Sequence, residues 1–369
     1  MAVCKPRVAI IGAGVIGLSV GGCLAETYGK QLDLTIIADK FTPDTTSDGA
    51  GGLFESYTLG FSRSAARDLQ RWTTETFHYL KRLYESGIQD EIGLSVVTGY
   101  SIFSKEQPLP WCKDLLFDFK ALKNQSLEAA LDLPSRPGGV SQGDSMANHT
   151  SKYLRKQNLT VWKYKTFVIE GKKYLPWLMK KFQSLGGLIL RHKVDSLQEL
   201  GNYDIIINCT GLGARELVGD KSVYPIRGQV VTMNVPSFGK YYDITDEDNL
   251  LSVIPHKDYV ILGNTTDVNN WSKIPDPKTR EEMLHRFYDL LPWLREVEVV
   301  GGWACLRPAR REVRLELENS GTSPPVIHCY GHSGQGYVLH WGCVQDVMKL
   351  MQKCLKGENL VARLIKARL

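Results

Sequence analysis

No stretch of this sequence approaches the run of about 18 apolar residues that crosses a bilayer as a helix, so no transmembrane helix is expected. The eight cysteines include no CxxC pair, and no His, Cys or carboxylate cluster has metal-ligand spacing. That excludes a disulfide scaffold and a zinc module. It points to free, mostly buried thiols in a reducing compartment, where Asn-X-Ser/Thr matches such as Asn148 and Asn158 stay unmodified. Charge of one sign is also scarce: 45 basic against 40 acidic residues leave +5, too little and too scattered for a nucleic-acid or acidic-lipid footprint. Internal repeats and low-complexity tracts are missing, and MAVCKPRVAIIGAG leaves no room for a signal peptide.

What remains is an ordinary globular composition, 43% hydrophobic and 23% charged, in 369 residues, enough for about two domains. Val8-Ala9-Ile10-Ile11 is a continuous apolar run, the pattern of a strand buried on both faces. Gly12, Gly14 and Gly17 follow as GxGxxG and open a helical stretch, and a second apolar strand closes at Asp39, 22 residues past Gly17. The first glycine makes the turn, the second admits a pyrophosphate to backbone N–H groups, and the third allows close helix–strand packing. Asp39 stands where a carboxylate takes ribose hydroxyls. The alternative is a tight βα turn without ligand.

Two later Gly-rich turns bear on which dinucleotide binds. Cys209-Thr210-Gly211 ends a buried strand, and Gly331-His332-Ser333-Gly334-Gln335-Gly336 precedes the final helix, whose N-terminal dipole suits a partly anionic ring or ribityl chain. Nicotinamide enzymes usually release their cofactor, whereas flavin enzymes enclose it with such extra turns. Together with the fingerprint they favour FAD. The apolar strands near residues 8, 205 and 327 bracket segments with antiparallel alternation. One sheet is therefore expected to be assembled from three separated pieces of chain, with a second domain built from the segments between.

"ACLRPARREVRL", residues 304–315, places Arg307, Arg310, Arg311 and Arg314 at helical spacing. Pro308 drives Arg307 out of the α region, however, and residues 313–318 alternate with period two. Arg314 then shares a solvated face with Glu316 and Glu318, while Arg310 and Arg311 fall in a turn. Arg307 follows an inward-leading apolar strand, and a buried guanidinium needs an anion: a carboxylate in its bidentate fork, or a structural Glu.

"RVAIIGAGVIGLS", "ADKFTPDTTSD", "EGKKYLPWL", "INCTGLG", "YPIRGQV", "LRPARREVRLE" and "YGHSGQGYVLHWG" resemble, in order and over essentially the whole chain, the D-amino-acid oxidase family. "FTPDTTSD", "YLPWL" and "CTGLGARELVGD" are more similar to its D-aspartate oxidase branch. The resemblance implies an α/β fold, a Rossmann-type FAD-binding domain (1–54, 160–224 and 306–369) interleaved with an antiparallel-sheet substrate domain (55–159 and 225–305). It implies Asp39 and Lys40 at the adenosine end of FAD and Thr45, Thr46 and Ser47 at the pyrophosphate. Gly52 and Leu53 would flank the flavin, Val194 and Thr210 the adenine half. Gly334, Gly336, Tyr337 and Val338 would reach the isoalloxazine and ribityl.

In the implied reaction Arg307 holds the substrate α-carboxylate while a hydride passes from Cα to the flavin. O2 then gives H2O2, and the imine hydrolyses to a 2-oxo acid and ammonia. Glu55, Tyr57, Ser252 and Gly334 would face the substrate. Two departures stand out. Ser252 replaces a tyrosine that in neutral-substrate members adds a hydroxyl to the carboxylate, so a bridging water is expected there. The strand Gly263–Asp267 lacks the second cation of D-aspartate oxidases, for which Lys240, Lys257 or Arg310 could substitute. Glu55 would repel an acidic side chain unless it turns outward or pairs with Arg63. The expectation drawn is an oxidase of acidic D-amino acids, with neutral D-amino acids or a glycine/sarcosine-type amine as alternatives. Ala367-Arg368-Leu369 resembles a peroxisomal import signal, implying an import receptor as partner.

Overall fold

The computed structural model describes residues 5–55, 61–122, 159–246, 249–263, 265–319 and 324–356. Tyr57, Asn148, Asn158 and the terminal Ala367-Arg368-Leu369 lie outside the described residues. Two sheets organise the chain. The first has six strands in the order β14-β15-β7-β1-β2-β6, with β1 Arg7–Ile11, β2 Asp33–Ala38, β6 Leu188–Arg191, β7 Ile205–Asn208, β14 Arg314–Glu318 and β15 Val326–Tyr330. Its strands pair in parallel except β14, which runs antiparallel to β15 at the edge. The all-apolar reading of residues 8–11 and 205–207 has its cause here, because helices cover one face and loops the other. Helices α1 (Val15–Tyr28), α3 (Gly171–Ser184) and α5 (Gly336–Lys356) pack on it, and α1 is buried from Val15 to Ala25.

The second sheet has nine strands: β3 Leu94–Phe103, β4 Phe117–Leu122, β5 Thr160–Ile169, β8 Tyr224–Met233, β9 Lys240–Asp246, β10 Asn249–Pro255, β11 Val260–Gly263, β12 Asp267–Val268 and β13 Val299–Ala309. It is antiparallel apart from β3 with β9. One face packs on α4 (Pro277–Leu290), through Met283, Phe287 and Leu290. Helix α2 (Ala66–Glu85) turns Leu69, Trp72, Phe77 and Leu80 inward, and Phe77 meets Phe54, Phe117 and Phe167 edge-on or tilted. Each such aromatic contributes about 2 kcal/mol through burial.

Two boundaries expected from sequence fall inside this second sheet. Residues 160–169 form β5, paired along its length with β3, and β13 runs unbroken across position 306. Pro308 is tolerated in β13 as an outer strand bound to β8 alone.

Candidate functional site

The glycine fingerprint sits at the carboxyl ends of β1 and β7, the usual crevice of a parallel sheet. Gly12 adopts φ 105°, and a Cβ there would lie 2.5 Å from the Cys209 carbonyl oxygen. A Cβ on Gly17 would collide with the Gly12 carbonyl. Glycine is therefore required sterically, and it brings Thr210 against the first turn of the fingerprint. Gly14 caps α1 with no side chain of its own, and Ser47 Oγ accepts the Val15 N–H at 3.0 Å. The backbone donors of this helix start and the Ser47 hydroxyl form a shallow cradle with no Cβ in it, which fits a pyrophosphate.

The turn 42–48 owes its shape to Asp48, which sequence reading missed. Its carboxylate accepts from Thr42 Oγ1 at 2.6 Å, Thr45 N at 3.0 Å and Thr45 Oγ1 at 2.6 Å. The T-x-x-D spacing of Thr45 and Asp48 was the available signal. Thr45 is thus tied inward, Thr46 is exposed, and Ser47 is the member of the three that reaches the fingerprint. Tyr337, buried at the start of α5, donates its hydroxyl to the Ser47 carbonyl at 3.0 Å and so joins the last helix to this turn. Asp39 and Lys40 lie exposed at the end of β2, where the Asp39 carbonyl accepts from Arg191. Val194 packs over Ala9, Ile11 and Ile37 on the same side of the sheet, while Gly336 opens α5 and Val338 is buried in its first turn.

The second sheet presents its other face to these turns. Ile254 approaches Gly51, Trp303 lies against Gly49, and Gly52 closes on the Ile169 carbonyl just before Leu53 bridges to Val168. Arg307 extends from β13 across this face. Its Nη1 donates to the carbonyl oxygens of Thr265 at 3.1 Å and Ile226 at 3.4 Å, and its Cδ lies 3.3 Å from where a Gly334 Cβ would be. Arg307 and Gly334, distant in sequence, are brought together by the approach of β13 to the turn before α5. A Cβ on Gly228 would occupy the guanidinium's place. Burial lowers the Arg307 pKa from its usual value, partly offset by Cys305 and Asp267, so an anion arriving here would restore a favourable environment for the charge. Trp303 Nε1, also on this face, is a buried donor without a protein partner.

Strand alternation puts Tyr164, Ser101, Asp243, Ser252, Trp303 and Arg307 on this one face. Ser252 is opposite Gly263 on β11 and opposite Asp243 on β9. Its hydroxyl donates to the Asp243 carboxylate, and both are buried. Glu55 accepts from Ser101 Oγ at 3.0 Å, and Ser101 also meets Tyr164 OH at 2.9 Å. Burial first, then the charge of Glu55, push the Tyr164 hydroxyl pKa well above the usual phenol value. A small pocket opens beside this group, lined by Phe54, Glu55, Cys112, Trp162 and Tyr164 among others.

Glu55 is turned inward to Ser101, so the alternative of an outward side chain does not hold. Other expectations are changed by this geometry. Ser252 gives its proton to Asp243, a residue that sequence reading left unassigned. The candidate second cations are placed elsewhere: Arg310 Nε pairs with Asp220 at 3.0 Å and its Nη1 donates to the Glu312 carbonyl, the Lys257 side chain is exposed, and Lys240 alternates onto the opposite face from Asp243. Among the described strand residues on this face, the charged side chains are Asp243 and Arg307. Arg314 pairs with Glu316 and Glu318, as its strand alternation required. Among the described residues no group of three His, Cys, Asp or Glu could hold a metal ion, and no helix is long and apolar enough to cross a membrane.

Comparison with known proteins follows the same lines. A family model described as FAD dependent oxidoreductase matches residues 7–350. A human D-aspartate oxidase is 32% identical over 95% of this chain and 95% of its own length. A D-amino acid oxidase of Dugesia ryukyuensis is 31% identical, covering 96% of this chain and 100% of that one. Glycine oxidase from Geobacillus kaustophilus superposes with a TM-score of 0.70 at 17% identity, covering 95% of each chain, a likeness of fold.

Proposed function

The chain belongs to the D-amino-acid oxidase family of FAD-dependent oxidoreductases, and we propose that it deaminates D-amino acids oxidatively, with O2 as electron acceptor and H2O2 as a product. The observation that carries this reading is the placement of Arg307. Its guanidinium lies on the sheet face next to Gly334 in the turn that opens α5, and Trp303 of the same strand and face lies against Gly49. An α-carboxylate bound there bidentately fixes both the position and the orientation of the substrate Cα. Bound FAD supplies the two-electron acceptor for the Cα–H bond.

The chain's own residues bind, orient and exclude water. Arg307 anchors the carboxylate; Gly228 and Gly334 leave the space it needs. Trp303 and Ile254 wall the site, and desolvation strengthens the Arg307–carboxylate attraction. Loss of a proton from the substrate ammonium precedes oxidation, and hydrolysis of the imine afterwards yields the 2-oxo acid and ammonia.

The side chain of the substrate is a finer matter. Resemblance to the D-aspartate oxidase branch favours an acidic one, and relatives named for both substrate types match equally well. The lining argues the other way. Asp243 and Glu55 bring acidic side chains to the side that a second substrate carboxylate would have to approach, and among the described strand residues this face carries no cation besides Arg307. We therefore favour neutral or cationic D-amino acids over D-aspartate and D-glutamate.

The test is a coupled H2O2 assay with D-Ala, D-Met, D-Lys, D-Arg, D-Asp, D-Glu and glycine, alongside anaerobic bleaching of the flavin spectrum. Bleaching by D- and not L-forms is expected. An intact yellow spectrum with every D-amino acid would sink the enzyme reading. D-Asp as the best substrate would restore the acidic one.

A further inference from the structure

Three strands of the parallel sheet are in register at one level: Ile11 on β1 faces Asn208 on β7, and Asn208 faces His328 on β15. Beyond them, β14 brings up Glu318 from the edge. Asn208 and His328 are both fully buried in the sheet. Neither belongs to the fingerprint, and neither is used by the reaction described above.

Their hydrogen bonds form a chain that ends at Thr210. The Asn208 Oδ1 accepts from Thr210 N at 3.1 Å and from Thr210 Oγ1 at 2.7 Å. The Thr210 backbone N–H can only donate, so Oδ1 must face it and the amide is locked with its NH2 pointing away. That NH2 meets His328 Nδ1 at 3.3 Å, which forces Nδ1 to be the acceptor. The ring proton is then on Nε2, where Glu318 accepts it at 3.2 Å. Glu318 is an ionised acceptor and cannot reverse the polarity. The whole chain is consistent with one protonation state of His328, the neutral Nε2–H tautomer.

We propose that Asn208 and His328 are positioning residues for the cofactor, holding Thr210 against Gly12 through this single-polarity relay and thereby tying FAD affinity to the protonation of His328. This rests on Thr210 lining the FAD crevice, where it packs at the close approach of Cys209 to Gly12. A second proton on His328 would set Nδ1–H against the Asn208 NH2, two donors face to face. Relief requires the amide to turn over, which sets NH2 against the Thr210 backbone N–H, breaks that hydrogen bond and releases the turn. A proton bound at His328 therefore opposes FAD, and reciprocally FAD opposes the proton.

The groups around His328 set where this happens. Burial lowers its pKa first, Arg314 lowers it further, and Glu318 and Glu316 raise it, leaving it below the usual imidazole range. Tyr330 packs edge-on against the ring and is itself held by Arg314 and by Asp220, which pairs with Arg310. FAD binding is thus full at neutral pH and weakens on the acid side of the ordinary histidine range.

The experiment titrates FAD into apoprotein by flavin fluorescence quenching from about pH 8 to about pH 5, in wild type, Asn208→Asp and Glu318→Gln. Wild-type Kd should be flat at the alkaline end and then rise, by at most about tenfold per pH unit for one linked proton. Asn208→Asp keeps an acceptor for Thr210 while accepting a proton from Nδ1, so its acid limb should flatten. Glu318→Gln alters an exposed side chain and removes the charge that favours protonation, so the limb should move to lower pH. A wild-type Kd independent of pH, or an acid limb identical in all three proteins, would overturn the relay. Failure of wild type to bind FAD at any pH would instead overturn the placement of FAD in this crevice, and the relay with it.

Discussion

Ser252 on β10 donates its hydroxyl to the carboxylate of Asp243, the residue directly opposite it on β9. Among the described strand residues on this sheet face, Asp243 and Arg307 are the charged side chains, so Asp243 is the acidic member of the pair. Asp243 faces the same side as Ser101, which holds Glu55 and meets the Tyr164 hydroxyl.

Replacing Asp243 by Asn keeps the shape and the acceptor for Ser252 while removing one negative charge. Activity toward D-aspartate should rise several-fold in kcat/KM, chiefly through KM, with little change toward D-alanine, because lifting one negative charge from this face eases the approach of a second carboxylate by on the order of 1 kcal/mol. Steady-state kinetics on both substrates check this. An equal change on both would show that Asp243 acts through packing instead.

Arg307→Ala should lower kcat/KM at least about 100-fold for every D-amino acid, since it removes a charged, hydrogen-bonded anchor worth about 2–5 kcal/mol. The protein should still purify yellow. Flavin absorbance and turnover, measured on the same preparation, separate the two effects; retained turnover would place the carboxylate elsewhere.

Gly228→Ala puts a methyl group where the Arg307 guanidinium lies. Activity should fall by about tenfold or more, and FAD content should be preserved, because β8 contacts the guanidinium and not the fingerprint. Overpacking of this kind costs about 1–3 kcal/mol, so a modest drop in Tm should accompany it.

His340 should produce an acid-side loss of stability through its burial. It is wholly buried, bridging Tyr174 OH and the Tyr337 carbonyl, and burial pushes its pKa down to about 4 from 6.5, with the Tyr337 carbonyl opposing. The unfolded chain takes up a proton near pH 6.5 that the folded chain resists until about pH 4. Stability is therefore fully present above the unfolded value and is lost as pH falls through this window, by about 3 kcal/mol at most. His340→Gln should flatten that part of the profile, read as urea midpoints at pH 7 and about pH 5. An unchanged slope would assign the acid loss to other groups.

The cofactor half of the site was legible in sequence because its requirements are local. Gly12, Gly14 and Gly17 are dictated by a turn, a close approach and a helix start that occur within one βα unit, and Asp39 closes the next strand. Strand periodicity likewise separated Arg307 from Arg314. The catalytic half was legible only in part. Asp243 is one acidic residue in a polar segment, and nothing in its neighbours marks it as buried; its meeting with Ser252 depends on the register of β9 against β10. Arg310 and Arg307 are three residues apart, yet one pairs with Asp220 and the other enters the site, because the turn after β13 reverses the chain between them.

By itself, then, the sequence determined the dinucleotide crevice, the inward arginine and the family of chemistry, all of which follow from short-range backbone geometry and the cost of burying a charge. The tertiary structure alone decided what surrounds that arginine. The pairing of Ser252 with Asp243, the inward turn of Glu55, and the hydrogen bonds that run from Glu318 through His328 and Asn208 to Thr210 are set by which strands lie side by side. Hydrogen-bond partners from distant segments are chosen by sheet register, and register is a property of the folded chain as a whole.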